Sequence, residues 1–342
     1  MLTRTGVRLA EWTTLRIGGP APSFVEASAR SDLYDAVAAA DDAGEEVLVL
    51  GGGSNLVVGD DGFAGRVVHV ASTGITVAGD ACSGVEVVAE AGEDWDGLVA
   101  HAVASEWIGV EALSGIPGTV GAVPIQNVGA YGQDVAETIA QVHVFDRLDR
   151  RPRTMFAADC AFGYRSSVFK RNPGRYVVGA VTFQFRPGSR GTPVQYAELA
   201  KTLGIAIGER ALSSEVRQAV LGLRRTKGMV LDRADHDTWS AGSFFTNPLL
   251  APDRLPEGAP SYPQPDGTIK TSAAWLIERA GFTKGYGNDR VRLSSKHSLA
   301  LTNRGAACAE DVLSLAREIR GGVESTFGIG LDPEPVRVNC DL

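Results

Sequence analysis

Residues 111–132 read EALSGIPGTVGAVPIQNVGAYG, a stretch with five glycines, two prolines and no charge after its first residue. Glycine and proline in a helix interior cost about 1 and about 3 kcal/mol each, and proline cannot donate to a β-ladder. A flexible linker would carry polar residues where this stretch has Ile116, Val120, Ile125 and Val128. The stretch therefore predicts an ordered, mostly buried loop. Whether its amides face a large ligand or only form tight turns is not decided by the stretch alone.

The composition indicates a large core and few features of a membrane or nucleic-acid binder. The chain has 342 residues, 44% of them hydrophobic, with a net charge of −8 and a pI near 5.3. This size supports two or three domains, and the negative charge argues against general nucleic-acid or anionic-membrane binding. No apolar run approaches the roughly 20 residues of a membrane span, and charges interrupt the N-terminal MLTRTGVRLAEWTTLRIGG before a signal-peptide core can form. We expect a soluble, cytoplasmic protein.

Several common kinds of site are excluded by the absence of their motifs. The chain has no G-x-x-x-x-G-K-[ST], no H-E-x-x-H and no G-x-S-x-G, and the triple glycine at 51–53 starts no G-x-G-x-x-G, which disfavours a Rossmann fold. We expect no metal site. The four cysteines are far apart, and we expect them to be reduced, buried and passive: Cys82, Cys160, Cys308 and Cys340.

Hydrophobic periodicity predicts an α+β plan, with mixed strands in the N-terminal half and a smaller C-terminal domain. Strands are predicted at 45–50, 66–71, 74–78, 85–91, 141–146, 175–185 and 297–303, with a basic turn at 147–153. Helices are predicted after a Ser31 cap, from about Glu93, after a cap at Ser213 or Ser214, over 271–281 and from about Glu310. Residues 186–193 (RPGSRGTP) have the composition of a mobile connection or a domain boundary.

Two further glycine-rich segments lie in the N-terminal half. GGGSN (51–55) follows a predicted strand, and its consecutive N–H groups could form a nest for phosphate oxygens, although a simple turn is the commoner explanation of this motif on its own. TLRIGGPA (14–21) carries another glycine pair. Three such loops are more than turn formation requires. Together they predict a long, diphosphate-bearing cofactor held by the backbone.

Six motifs occur in one order along nearly the whole chain: TLRIGG, GGGSN, SGIPGTVGAVPIQNVGAYG, FGYRSSVFK (162–170), AGSFFTNP (241–248) and PEPVRV (333–338). This order resembles the UDP-N-acetylenolpyruvoylglucosamine reductase (MurB) family of bacterial cell-wall synthesis. The resemblance implies an α+β chain with an FAD-binding fold of the vanillyl-alcohol-oxidase (PCMH) type in two subdomains, plus a smaller α+β substrate-binding domain. It also implies non-covalent FAD, NADPH as hydride donor, and reduction of the enolpyruvyl ether of a UDP-sugar to the lactyl ether of UDP-N-acetylmuramate.

The resemblance also sets the expected boundaries. They are 1–75 for the first FAD-binding subdomain and 76–212 for the second, which includes a mobile loop near 186–198. Residues 213–325 would bind the UDP-sugar, and residues 326–342 would return to the flavin site. We expect a monomer whose partner is a small-molecule UDP-sugar, with neither a nucleic acid nor a membrane as partner.

Three residues are expected to carry the chemistry. Hydride addition beside a carboxylate places negative charge on that carboxylate, which requires a cation, a hydrogen-bond donor and a proton donor. Arg165, in a short polar loop, suits a fixed guanidinium, although a surface salt bridge is the commoner use. Glu334, between two prolines, could donate as a neutral acid or be a surface glutamate. The resemblance makes Ser243 the proton donor, whereas its sequence context alone favours a core serine.

The remaining expected contacts come from the resemblance. For the substrate they are Tyr164, Arg165, Tyr196, Lys227, Asn247 and His297. Tyr196 matches a tyrosine on a mobile loop that closes over the UDP group in one branch of the family. For the cofactor they are Arg16, Gly18, Gly51, Gly52, Gly53, Ser54, Asn55, Ser114, Gly115, Ile116, Gly118, Thr119, Gly121, Gln126, Asn127, Gly129 and Tyr131. Gly115, Gly118 and Gly121 are expected to lend their amides.

Some features leave alternatives open. Arg224 and Arg225, with Lys227, form either a diphosphate-binding cluster or an ordinary solvated last helical turn. The family has Glu-Val-Arg where this chain has Glu-Pro-Val-Arg at 334–337, and His297 stands where some members have glutamine. Two other functions are consistent with the sequence: an oxidase of the same flavin fold acting on a sugar or lactone, and a non-catalytic flavin- or nucleotide-binding regulator.

Overall fold

The computed structural model describes residues 2–78 and 84–342. Contacts divide the chain into two compact units. Unit 1 comprises Met1–Val7, Ala21–Gly52 and Ala64–Arg225, and unit 2 comprises Arg8–Pro20, Gly53–Phe63 and Thr226–Leu342. This division keeps the helix after residue 213 with unit 1, later than the expected boundary. The four functional segments stay a prediction.

The strands in chain order are β1 Leu2–Arg4, β2 Val7–Arg8, β3 Pro20–Ala21, β4 Ser23–Ala27, β5 Val47–Leu50, β6 Leu56–Val58, β7 Arg66–Val70, β8 Ile75–Ala78, β9 Val85–Glu90, β10 Trp107–Ile108, β11 Gly129–Ala130, β12 Gln133–Asp134, β13 Ile139–Asp146, β14 Arg151–Phe156, β15 Tyr176–Pro187, β16 Leu249–Leu250, β17 Tyr262–Pro263, β18 Ile269–Lys270, β19 Val291–Leu293, β20 Leu301–Asn303 and β21 Val336–Val338. The α-helices are α1 Arg30–Asp42, α2 Trp95–Ala104, α3 Val168–Arg171, α4 Ala197–Leu203, α5 Ser213–Thr226, α6 Ala273–Arg279 and α7 Ala309–Phe327. Within the described residues, no helix combines the length and apolarity needed to cross a bilayer.

Two sheets form the framework of unit 1. The smaller has the order β1-β4-β7-β5, with β7 parallel to both β4 and β5, and α1 connects β4 to β5 as parallel pairing requires. The larger is antiparallel, in the order β14-β13-β15-β9-β8, with β10 also paired to β15. The apolar face of α2, including Trp95 and Leu98, packs in a buried cluster with Phe183 and Phe185 of β15.

Unit 2 is built around α6, α7 and the β19–β20 hairpin. Their buried side chains cluster with Leu15, Ile17 and Val57, which come from the two N-terminal pieces of the unit. Strand β6 pairs in parallel with β21, so the end of the chain lies beside the residues that follow GGGSN. The carboxylate of Asp60 accepts hydrogen bonds from the first N–H groups of α7, where negative charge is favourable.

The predicted helices and most predicted strands are confirmed, with local corrections. Ser31 is not the cap of α1: the N-cap is Ala29, and Ser31 lies in the first turn. Ser213 is likewise the first residue of α5. The basic turn predicted at 147–153 is shorter, because Arg151 pairs with Asp146 and starts β14. The strand predicted at 297–303 is reduced to β20, and the short helices α3 and α4 were not predicted.

Residues 186–193, predicted to be a mobile connection or boundary, are hydrogen-bonded in this structure. β15 extends to Pro187, and the following residues pair with 208–213. The N–H of Gly191 donates to the carbonyl of Ala211 (2.9 Å), and the N–H of Val194 donates to that of Glu209 (2.9 Å). The result is a closed base for residues 195–207, and Leu199 and Ala200 of α4 pack in a buried cluster with Val216 and Val220 of α5.

Asp146, at the end of β13, is a fully buried carboxylate of unit 1. Arg175 donates to it from Nε (3.1 Å) and from an Nη (2.8 Å), and the N–H of Leu148 donates at 3.1 Å. Hydrogen bonds from Arg175 hold the pKa of Asp146 below its ordinary value, against the opposite effect of burial.

We expect Asp146→Asn to lower the free energy of unfolding by about 1–2 kcal/mol near neutral pH, because hydrogen bonds to a charged group are lost. A carboxyl with a lowered folded-state pKa contributes stability that is complete above its unfolded pKa of about 3.9 and is lost as the pH falls through the folded value. The difference between variant and wild type should therefore shrink below about pH 4. Urea unfolding at several pH values measures this difference. Asp149→Asn, in the exposed turn that follows β13, serves as control. A difference that does not change with pH would contradict the assignment.

Candidate functional site

Two of the glycine-rich segments meet inside unit 1. A β-carbon added to Gly52 would lie 2.9 Å from Cα of Gly118, and one added to Gly51 would lie 2.7 Å from Oγ1 of Thr119. The backbones of GGGSN and of the 111–132 stretch are therefore in contact at positions where a side chain would separate them. The sequence motifs placed these segments in one site, and the structure brings them together.

The 111–132 stretch is an ordered loop, as predicted, and several of its backbone groups make hydrogen bonds within unit 1. The N–H of Gly115 donates to Oδ1 of Asp96 (2.6 Å), and the N–H of Gly121 donates to the carbonyl of Ala91 (2.8 Å). The carbonyl of Gly118 accepts from the N–H of Trp95 (3.1 Å). Contact of these glycines with a cofactor stays a prediction, but the N–H groups of Gly115 and Gly121 are directed into the protein.

Two polar side chains of this loop, those of Ser114 and Asn127, make hydrogen bonds that stabilise its conformation. The buried hydroxyl of Ser114 donates to the carbonyl of Glu111 (2.7 Å). The buried Asn127 donates to the carbonyl of Gly163 (3.1 Å) and accepts from the N–H of Ala136 (3.1 Å). Asn127 and Tyr131 both have φ of 50°, which is unusual outside glycine. Gln126 and Ile116 are half-buried in the same stretch.

Arg165 is held against this loop by its guanidinium. One Nη donates to the carbonyl of Gly129 (2.7 Å), the other lies 3.5 Å from the carbonyl of Asn127, and the guanidinium carbon is 5.6 Å from the ring centroid of Tyr164. The backbone of Arg165 has a φ of 49°. Non-glycine residues in that region cost free energy and persist only where surrounding contacts impose them. The predicted fixed guanidinium is observed, and its role toward a carboxylate stays a prediction.

Tyr131 and Tyr196 form an aromatic pair in unit 1. Their rings meet edge to face with centroids 5.3 Å apart, and Tyr196 is 44% exposed. Tyr196 is the N-cap residue of α4, two residues after Val194 of the paired base. The pair presents one half-exposed phenol beside a turn of the glycine-rich stretch.

Near this pair is a group of charges that the sequence reasoning did not find. Arg217 holds the carboxylate of Asp96 with two hydrogen bonds (2.6 and 2.9 Å). Burial raises the pKa of Asp96, but the hydrogen bonds of Arg217 and Gly115 and the charges of Arg217 and Arg224 lower it by more. Arg217 lies two helical turns before Arg224 on α5, and this spacing is the signal that could have revealed Arg217.

Arg224 corrects one prediction. It is 9% exposed, so a solvated last helical turn is wrong for this residue, whereas its neighbour Arg225 is exposed. Burial lowers the pKa of Arg224 to about 10, while the charges of Tyr131 and Asp96 act in the opposite direction. Lys227 is half-buried and belongs to unit 2. Arg224, Arg225 and Lys227 therefore differ in burial and do not form a single exposed cluster of positive charge.

Unit 2 brings Ser243 and Glu334 close together. The N–H of Glu334 donates to the carbonyl of Phe244 (2.8 Å), next to Ser243 in the chain. The side-chain amide of Asn55 lies 3.4 Å from the carbonyl oxygen of Glu334, and the N–H of Val336 donates to the carbonyl of Asn55 (2.9 Å). Ser243 and Glu334 are both half-buried. Three predicted site residues from distant parts of the sequence thus share one corner of unit 2.

Other predicted residues of unit 2 have identifiable structural contacts. Oδ1 of Asn247 accepts from the N–H of Ala273 at the start of α6 (2.9 Å). The N–H of His297 lies 3.3 Å from the hydroxyl of Ser294. The guanidinium of Arg16 lies 5.8 Å from the centroid of the Trp239 ring.

Two glycines of unit 2 that were predicted to contact the cofactor, Gly18 and Gly53, lie where other parts of the chain approach closely. A β-carbon on Gly18 would be 3.0 Å from Val58, and one on Gly53, which has a φ of 61°, would overlap the carbonyl of Trp12. Ser54 follows in a half-buried position. These residues are therefore required by the local packing, and their contact with a cofactor stays a prediction.

The cysteines are free in the described residues. Burial raises the pKa of the Cys160 thiol to about 12, which matches the expected passive role. Cys308 and Cys340 are only half-buried, so the expectation of burial is wrong for them. Cys82 lies outside the described residues.

Comparison with known proteins identifies the family. Residues 233–338 match the family model described as "UDP-N-acetylenolpyruvoylglucosamine reductase, C-terminal domain", and residues 21–149 match the one described as "FAD binding domain". The chain is 54% identical over 339 residues to the UDP-N-acetylenolpyruvoylglucosamine reductase of Cutibacterium acnes, covering 98% of this chain and 90% of that protein. It is 52% identical over 349 residues to that of Thermobifida fusca, covering 98% of both.

A solved structure agrees with this assignment. The UDP-N-acetylenolpyruvylglucosamine reductase of Thermus caldophilus superposes with a TM-score of 0.68 at 26% identity, covering 98% of this chain and all of that one. The predicted α+β fold with an FAD-binding domain is confirmed. The chain belongs to the UDP-N-acetylenolpyruvoylglucosamine reductase family.

Proposed function

We propose that this protein reduces UDP-N-acetylenolpyruvoylglucosamine to UDP-N-acetylmuramate, with NADPH as the hydride donor. As a family member it is an FAD-dependent oxidoreductase of peptidoglycan precursor synthesis. The observation that carries the proposal for this chain is the backbone hydrogen bond from the N–H of Glu334 to the carbonyl of Phe244, which brings the residue with the carboxyl group next to the chain neighbour of Ser243, the residue with the hydroxyl group. The reaction needs these two groups in the same place.

The residues of the glycine-rich loops fit a large, phosphate-bearing cofactor. Contact between Gly52 and Gly118 leaves two stretches of backbone without side chains next to each other, a surface that such a ligand can approach closely. The residues we propose to hold FAD are those of 51–55 and 114–131 predicted from the sequence, with Arg16 and Gly18. When bound, FAD supplies the transfer of hydride between nicotinamide and substrate.

The protein's own residues would handle the charge and the proton. Arg165, whose guanidinium is fixed by loop carbonyls, would bind the substrate carboxylate and stabilise the negative charge that develops on it. Glu334, in its neutral form, would donate a hydrogen bond to the same group. Ser243 would give its hydroxyl proton from Oγ to the carbon next to that carboxylate. The proton is then restored from solvent.

The UDP-sugar contacts are proposed from the family likeness. Tyr164 and Tyr196 belong to unit 1, and Lys227, Asn247 and His297 belong to unit 2. The half-exposed ring of Tyr196 suits stacking or hydrogen bonding with a nucleotide. A cytoplasmic location and a monomeric state are part of the proposal and rest on the sequence analysis.

Gly52→Ala should weaken FAD binding roughly tenfold or more, because its β-carbon would displace the backbone of Gly118 and a shift of about 1.4 kcal/mol is tenfold in affinity. The measurement is FAD per chain after desalting, followed by titration of the apoprotein. Gly222→Ala is the matched control, since no atom lies within 4 Å of its added β-carbon. That control should retain FAD and gain about 0.5–1 kcal/mol of helix stability. Equal FAD retention in both variants would exclude the proposed contact.

Ser243→Ala should leave reduction of the flavin by NADPH unchanged and slow its reoxidation by the enolpyruvyl sugar by roughly 10²–10⁴-fold, the usual range for a positioned acid. Stopped-flow absorbance separates the two half-reactions. Ser314→Ala, on an exposed face of α7, serves as control and should behave as wild type. If reoxidation in Ser243→Ala is as fast as in wild type, the proton comes from another group.

A further inference from the structure

A buried carboxylate of unit 1 has no part in the chemistry proposed above. Glu111 is 1% exposed. Its Oε2 accepts from the N–H of Gly109 (2.7 Å), and its Oε1 accepts from the N–H of Thr192 (2.6 Å) and from Nε2 of Gln133 (2.8 Å). The hydroxyl of Thr192 lies 3.2 Å from the same Oε1. A carboxylate this deep is retained only where its lone pairs are satisfied.

The network around Glu111 joins three separate stretches of chain. Oε1 of Gln133 accepts from the N–H of Ala112 (2.7 Å), and Nε2 of Gln133 also donates to Oγ1 of Thr192 (2.5 Å). A β-carbon on Gly191 would lie 2.6 Å from Oε1 of Glu111. Glycine at that position therefore lets the backbone of the loop base come close enough for the carboxylate to bind it.

Both tyrosines of the aromatic pair are attached to this network through short lengths of backbone. Gln133 is two residues after Tyr131, and Thr192 is four residues before Tyr196. The intervening turn is also packed, because a β-carbon on Gly132 would be 3.3 Å from Gln195. The ring contact at 5.3 Å thus depends on two backbone segments that meet at one carboxylate.

We propose that Glu111 is a positioning residue for substrate binding: its carboxylate holds the Tyr131 turn and the Tyr196 segment together, so that the ring of Tyr131 supports Tyr196 in the position from which Tyr196 contacts the UDP-sugar. The inference rests on the proposed function, in which Tyr196 contacts the substrate. Glu111 itself does not touch the reacting atoms. Its effect is on how strongly the substrate is held.

Glutamine at position 111 gives a sharp test because it keeps the shape of the side chain and changes only the hydrogen bonding. Every group that faces Oε1 is a donor, and an amide NH₂ cannot accept from a donor. In Glu111→Gln, the KM for the UDP-sugar should rise roughly tenfold or more while kcat changes by less than about threefold, the pattern of lost uniform binding. Flavin reduction by NADPH should be unchanged. Hydrogen exchange of the amides in 189–213 should accelerate.

A second pair of variants keeps the test valid if Glu111→Gln folds poorly. Thr192→Val removes the hydroxyl and retains the N–H bond to Glu111, so a smaller rise in KM and in exchange is expected. Thr192→Ser restores the hydroxyl and should return both to wild-type values. Glu46→Gln makes the same chemical change at an exposed position of unit 1 and should alter neither KM nor exchange.

Tyr196→Ala completes the set and should raise KM at least as much as Glu111→Gln. If it does and Glu111→Gln only lowers stability, with wild-type KM and exchange, Glu111 is merely structural and the inference is overturned. If Tyr196→Ala leaves KM unchanged, the aromatic pair recognises no substrate, which also overturns it. Failure of the proposed function is separate: the wild-type protein would not consume NADPH when the enolpyruvyl sugar is added.

Discussion

Contact between the backbones of Gly52 and Gly118 is the constraint on which the arrangement of unit 1 depends. The loop that carries Gly118 is tied to the connection between β9 and α2 by three backbone bonds, which involve the N–H groups of Trp95, Val120 and Gly121. Glycine loses more conformational freedom on folding than any other residue. These bonds and the burial of Val120 offset that loss, so a segment with little side-chain surface can still be ordered.

In unit 2 the corresponding constraint is the parallel pairing of β6 with β21. It places the end of the chain next to the residues that follow GGGSN and fixes Glu334 from both sides. Its N–H donates to Phe244, and its carbonyl lies next to the amide of Asn55. Pro335, which the family pattern lacks, is buried immediately after it. Proline has no backbone N–H to donate, and the hydrogen bonds on either side of it are made by the N–H groups of Glu334 and Val336.

The sequence predicted the parts of the site that are encoded locally. Glycine spacing indicated the loops, whereas the sequence left Ser243 open between a core serine and a site residue, and Glu334 open between a buried acid and a surface glutamate. What it did not reveal depends on contacts between distant residues. No sequence pattern connects Glu111, Gln133 and Thr192. Strand β14 was not predicted because its arginines indicate a turn, although an exposed edge strand tolerates them. The burial of Arg224 was missed because periodicity identifies a helix face but not what packs against its last turn.

The network that the sequence did not reveal centres on a buried carboxylate, Glu111, and this chemistry makes its hydrogen bonds important for the positions of the segments that it joins. A neutral side chain that lost one partner would forfeit a modest amount of free energy, but an ionised carboxylate without its donors in a buried place is far more costly. Its donors come from Gly109, Gln133 and Thr192. A shift of any one of these segments therefore leaves the buried carboxylate with fewer hydrogen bonds. The carboxylate of Glu111 therefore holds the base of the Tyr196 segment at Thr192.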